Sequence, residues 1–392
     1  MVRKVAVEAA VAATRRSLYL LPATIALTVS CTLQAGVLPE DRADALYHSY
    51  DGGGVEVDGP SILVRKGDGK RFSFSGNYYV DNITAASVDV VTQGSKYDED
   101  RTQWSGSIDY LHADTVMSAG YTDSDEDDYK AKTASFSISQ SMFGDLTTIT
   151  LGYSRGWDDV YRNGDPAFDE TVDRRNYRVD LDQVLTKDLL LSINYEAVTD
   201  EGFLNNPYRS VRYIDSTSSV GYSFQPEVYP DTRTSNAIAA NLLYYLPYRA
   251  ALGAGYRYFN DDWGIGAHTA EISYTHPLRE HWIAEVGYRY YQQGDADFYS
   301  DLFPRRDAQN FMARDKELSE FYNQTLSLGL AYELPGKRWR YVDRASLNLA
   351  YRSIWFDYDN YRNIKKTSAV PGNEPKYDFR ADVIHAFVSI WY

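Results

Sequence analysis

The chain has 392 residues, a formal net charge of −15, 35 tyrosines, an aromatic share of 15% and a single cysteine. So acidic a balance excludes nucleic acid as a partner, because phosphates would be repelled. Lone Cys31 excludes an internal disulfide framework and a multi-thiolate metal site.

Residues 1–35 read as a secretory signal peptide. Arg3, Lys4, Arg15 and Arg16 form a basic head, SLYLLPATIALTVS is apolar, and small residues mark the exit. Two exits stand: ordinary cleavage after Leu33-Gln34-Ala35, or lipid attachment at Cys31, where Thr28 departs from a lipoprotein box. Residues 36–69 do not look like strand, because Asp51-Gly52-Gly53-Gly54 and Gly59-Pro60 punctuate them. The segment is expected to fill a lumen as a plug, with Arg65 and Lys66 meeting acids there, or to hang as a periplasmic tail.

From residue 70 to 392 apolar and polar residues alternate with period two. The candidate strands are 70–80, 102–111, 116–123, 130–142, 147–157, 176–185 and 189–198, then 234–246, 250–259, 266–275, 281–291, 322–334, 344–356 and 377–392. These fourteen segments each approach the ~9–11 residues that a tilted strand needs to cross a bilayer. No later stretch makes a spanning helix; the best, 237–256, is interrupted by Pro247 and Arg249. Short links such as Phe143-Gly144-Asp145 alternate with long acidic segments at 81–101, 158–175, 199–233, 292–321 and 357–376. That asymmetry predicts an all-β, transmembrane, antiparallel up-and-down barrel of about 14 strands in the bacterial outer membrane. Short turns would face the periplasm, long loops the exterior, and lipid and lipopolysaccharide the outside wall. The stretch SSVGYSFQ (218–225) leaves room for one further hairpin.

A soluble sandwich would alternate in the same way. The ending separates the two, because Tyr392, Ile390 and Val388 share a face and resemble the signal read by the barrel assembly machinery. A last strand paired to the first would also leave no free edge. A weak repeat, AGYT, LGYS, INYE, AGYR, VGYR and LAYR, falls on alternate strands. It places Tyr121, Tyr153, Tyr195, Tyr256, Tyr288 and Tyr351 at one height as an interfacial girdle.

The opposite face of the strands predicts the lumen wall: Asp109, Arg178, Asp180, Asp182, Asn194, Glu196, Arg257, Glu271, Glu285, Arg289, Glu333, Arg344 and Arg352. Charges of both signs suit either a solute path or a network that holds a plug. The run Asp123, Asp125, Glu126, Asp127 and Asp128 lacks the spacing of a calcium loop and reads as solvated, so no metal ligand set is assigned. The six histidines are scattered, no GxSxG or HExxH occurs, and no serine is marked as a nucleophile. The expectation is a barrel that is not an enzyme and carries no cofactor.

GGGVEVDGPSILVRKG (52–67), YSRGWDDV (153–160) and NNPYRSVRY (205–213) resemble an uncharacterised bacterial outer-membrane barrel family. The resemblance implies no catalytic residue. It implies a partner, since genes of such proteins lie near a small lipoprotein and a flavin-attaching enzyme. Two functions follow: a porin-like channel or transporter for a small solute, or a sheath or anchor for a lipoprotein or redox partner.

Overall fold

The computed structural model describes residues 37–85, 97–334, 341–366, 368 and 370–392; the expected signal peptide lies outside them. The strands are β1 (Arg42–Gly52), β2 (Val55–Gly67), β3 (Phe72–Ala85), β4 (Tyr97–His112), β5 (Thr115–Asp125), β6 (Tyr129–Met142), β7 (Thr147–Tyr161), β8 (Asp169–Thr186) and β9 (Leu189–Gly202). They continue as β10 (Ser210–Ile214), β11 (Tyr222–Pro226), β12 (Thr232–Tyr245), β13 (Ala251–Asp261), β14 (Gly266–Pro277), β15 (Trp282–Gln293), β16 (Phe321–Leu334), β17 (Arg344–Arg362) and β18 (Lys376–Trp391). β1–β9 and β12–β18 close into an antiparallel barrel of sixteen strands, while β10 and β11 pair only with each other.

The count exceeds fourteen because residues 42–67 are wall, not a plug or a tail. β1 pairs with β18 from Arg42↔Trp391 to Gly52↔Ala381 and with β2 from Arg42↔Arg65 to Gly52↔Val55. The glycines that looked like punctuation make this hairpin. Gly53 and Gly54 both have positive φ, 62° and 81°, as a two-residue type I′ turn requires. At Gly59 a Cβ would sit 1.9 Å from the Val80 carbonyl oxygen, so only glycine lets β2 and β3 approach there. The plug role expected of Arg65 and Lys66 falls with this correction. Arg65 faces the lumen as part of the wall, whereas Lys66 points outward, pairs with Asp41 and covers the Tyr392 ring at 4.8 Å.

The ends of the strands show why they stop. In the β2–β3 turn Asp68 Oδ1 accepts the backbone N–H groups of Lys70, Arg71 and Phe72 at 2.7–3.0 Å. Those donors, Phe72 first, hold its carboxyl below the usual range. Strands lengthen from 11 residues in β1 to 19 in β17, so several project well past a bilayer. Outside, Ile62, Phe74, Phe136, Leu151, Ile272, Leu328, Leu349 and Ile384 remain exposed. In water such a continuous apolar belt would be an aggregation surface; on a closed barrel it is the surface that lipid covers. Val388 and Ile390 lie half-buried on the same side as Ile384, and the Tyr392 hydroxyl donates to the Arg65 carbonyl at 3.1 Å. The terminal aromatic is thus tied to the seam that closes the barrel.

Candidate lumen site and extracellular cap

Every rising strand carries an outward tyrosine six to eight residues from its start: Tyr47, Tyr78, Tyr121, Tyr153, Tyr195, Tyr256, Tyr288 and Tyr351 on β1, β3, β5, β7, β9, β13, β15 and β17. Crossing a descending strand along the paired positions always arrives two residues past the next one. Tyr78 leads through Trp104 to Asp123, Tyr288 through Leu326 to Ser353, and Tyr351 through Ile384 to Ser49. A stagger of one residue per strand corresponds to a tilt of about 36°. The circuit returns to Tyr47, so the ring is level. Its hydroxyls mark the upper edge of the apolar belt: Tyr195 donates to Asn236 Oδ1, Tyr288 to Gln324 Oε1 and Tyr351 to Asp382 Oδ1, at 2.6–2.7 Å.

Because side chains alternate along a strand, the residue after each tyrosine faces inward at that same height. This second ring is His48, Tyr79, Thr122, Ser154, Glu196, Arg257, Arg289 and Arg352. The wall is closed chemically on one side. His48 Nε2 lies 2.6 Å from Asp81 Oδ1, the Tyr79 hydroxyl lies 3.0 Å from that nitrogen, and Arg101 pairs with Asp81. Farther round, Arg178 pairs with Asp180 at 2.9 Å, Asn194 donates to Asp180 at 2.6 Å, and Ser192 and Asn176 donate to Asp182 and Glu196. Asp109 accepts from Ser118 at 2.6 Å.

The opposite wall is different. Arg257, Arg289 and Arg352 stand on β13, β15 and β17 and make no hydrogen bond or ion pair among the described residues. Glu271, directly across from Arg289 on β14, lies down over Gly255, where a Cβ would be 2.7 Å from its Oε1. Glu285 accepts from Thr275 Oγ1 at 3.3 Å. Of the remaining predicted lumen residues, Glu333 and Arg344 sit at the periplasmic rim, where Arg344 pairs with Glu40. All of the predicted wall residues therefore face inward, but only Arg257, Arg289 and Arg352, with Glu271 and Glu285, gather as one unpaired charged arc.

Above the arc the long loops fold into the barrel. Residues 203–231, 294–320, 363–366 and 370–375 build a cap against the β12–β18 wall. Strand residues Phe259, Tyr291, Phe321, Tyr358, Tyr361 and Tyr377 pack with loop residues Tyr229, Trp263, Phe298, Tyr299, Leu318 and Ile364. β10 and β11 form the further hairpin that the sequence allowed, in the cap instead of the wall. Backbone bonds join the loops: Phe303 N–H to Arg212 O at 2.9 Å, and Met312 N–H to Val228 O at 2.8 Å. At their centre Arg212, fully buried, donates to Glu374 Oε1 at 2.7 Å and to the Asp301 carbonyl at 2.9 Å, and Arg314 pairs with Asp301 at 3.0 Å. Burial, with Asp315 nearby, pushes the Glu227 carboxyl up to about 7; it accepts the Tyr229 hydroxyl at 2.6 Å and the Arg314 N–H at 2.7 Å. In the acidic run, Glu126 and Asp128 bring their oxygens within 4.8 Å of Glu99, and Glu126 also faces Arg101 at 4.0 Å.

Sequence reasoning missed His48, Tyr79 and the cap. The Tyr47-His48 and Tyr78-Tyr79 pairs carried the same signal as the other tyrosines. For the cap ions no local pattern existed, since Arg212 and Glu374 lie 162 residues apart.

Residues 168–351, just under half of the chain, match a family described as "Protein of unknown function (DUF3570)". No curated protein matches. Among solved structures, a bacterial polysaccharide outer membrane secretin shares 8% identity at a TM-score of 0.50, over 91% of this chain and all of that one. The outer membrane protein opdK of Pseudomonas aeruginosa gives 10% and 0.44 over 91% and 100%, and a FadL homologue of the same organism 9% and 0.41 over 90% of each. The fold is that of a bacterial outer-membrane β-barrel. At such identities the likeness is one of architecture alone.

Proposed function

We propose that the protein is an outer-membrane channel for a small solute, with the cap restricting its outer mouth. One observation carries the reading: the lumen keeps an arc of unpaired charge directly below the cap. A barrel serving only as scaffold gains nothing from charges left without partners in its interior, and such groups in membrane proteins mark solute paths. The conduit reading assigns no catalytic step and no cofactor.

Planar-bilayer recording tests it. The intact protein gives small discrete conductance steps, and Glu285→Gln shifts cation-to-anion selectivity towards anions. A barrel that stays silent at every voltage and co-purifies with a small lipoprotein would overturn the channel in favour of a sheath.

A further inference from the structure

The geometry points to a binding site for an oxyanion, the carboxylate or phosphate of a small solute, held by Arg257, Arg289 and Arg352 on the lumen wall below the cap. The inference deepens the channel reading by giving the solute a charge and a resting place, and it rests on that reading for its role in passage.

Arg257 is 6% exposed, and Nε, Nη1 and Nη2 are all buried without a hydrogen-bond partner. A guanidinium carries five donors in a rigid fork and cannot shed its proton to escape burial. A buried cation with no acceptor is costly, so an acceptor from outside the chain is the expected occupant. Its neighbours fix which kind. The Arg257 guanidinium stands over the face of Phe259, 5.5 Å from the ring centroid, and that of Arg289 over Tyr291 at 5.4 Å. Each ring offers its guanidinium a π face and no hydrogen-bond acceptor in the ring plane, so the N–H groups are left for a planar or tetrahedral oxyanion.

The level ring supplies the multiplicity. Arg257, Arg289 and Arg352 each follow a girdle tyrosine, so they share a height, with neighbours two strands or about 10 Å apart. Side chains of that length can reach one group lying between two of them. The residues one step below, Gly255, Gly287 and Ala350, are small, and the Glu271 side chain fills the space over the first of them. Three acids lie near and none closes on the forks: Glu196, which attracts Arg257 along the level ring, accepts from Asn176 instead and makes no ion pair with it. Glu271 rests over Gly255 and Glu285 is engaged by Thr275, so neither occupies the forks. Their presence limits the site to a small solute with one or two negative groups, because a larger polyanion would meet both carboxylates.

The full-length protein, purified in a zwitterionic detergent, is titrated calorimetrically with inorganic phosphate and, separately, with succinate at constant ionic strength set by chloride. Saturable binding of either anion, weakened about tenfold or more in Arg257→Gln and in Arg289→Gln, is the expected result. Phosphate alone or succinate alone identifies the preferred oxyanion. Arg257→Lys keeps the charge but not the fork, and should retain folding with weakened binding. If neither anion binds beyond the effect of chloride the forks hold solvent only, and if all variants bind as the parent does the anion sits elsewhere; either result overturns the inference. The titration needs no conduction, so a silent barrel that binds phosphate would sink the channel and spare the site.

Discussion

Replacing Arg212 by methionine keeps most of the side-chain volume and removes the charge that ties three loops together. The guanidinium is fully buried and donates to Glu374 at 2.7 and 3.0 Å, to the Asp301 carbonyl at 2.9 Å and to the Asp301 carboxylate. Breaking one side of a buried ion pair costs about 3–5 kcal/mol, because the other side is left uncompensated. Asp301 would keep Arg314 at 3.0 Å, and Glu374 the Gly372 N–H at 2.9 Å, which places the expected cost near the lower limit. About 3 kcal/mol is more than a hundredfold in the opening equilibrium of the cap. Hydrogen–deuterium exchange read by peptide should show that acceleration in β10, β11 and residues 294–320, with the barrel strands unchanged. The same variant should conduct more than the parent in bilayers. Unaltered protection of the cap, or loss of protection spread evenly through the barrel, would refute the idea that Arg212 locks a separately opening unit.

Glu227 should make the cap sensitive to pH. Its folded pKa, raised to about 7 from an ordinary 4.5, means that the closed cap holds a proton which the opened cap releases. Cap stability therefore falls as pH rises from about 4.5 towards 7 and levels off above, since the opened state binds fewer protons. Limited proteolysis of the loops across that range should show the trend, and Glu227→Gln should flatten it. Gly59→Ala would drive a methyl into the Val80 carbonyl and should lower the temperature at which the barrel loses its compact form on an SDS gel, by about 1–3 kcal/mol in stability. Gly76→Ala, whose Cβ would meet only the Ser105 oxygen at 4.0 Å, is the neutral control.

The wall was legible because a lipid-facing strand must alternate, and thirteen candidate lumen residues chosen by alternation all face inward. β1 and β2 escaped notice for a physical reason. In β1 the outward frame is Ala43, Ala45, Tyr47, Ser49 and Asp51, and the inward frame holds Leu46 and Tyr50, so the polarity contrast is weak. In β2 the close approach at Gly59 and the outward Pro60 imitate a break. The girdle was read from six strands and extends to eight with Tyr47 on β1 and Tyr78 on β3. What alternation cannot give is pairing in the third dimension. It shows Arg178 and Arg257 as equal lumen cations, yet one is bound to Asp180 and the other is left without an acceptor. The cap was invisible for a related reason: its aromatic and ionic contacts join loops remote in sequence, where no periodicity operates.

The constant offset between successive tyrosines makes each ascending–descending pair an interchangeable unit. Adding or deleting one such pair would alter the circumference while keeping every remaining register intact, because each contributes the same share of slant. Bore width in this architecture is therefore free to change in whole-unit increments, without re-optimising the contacts of the units that stay.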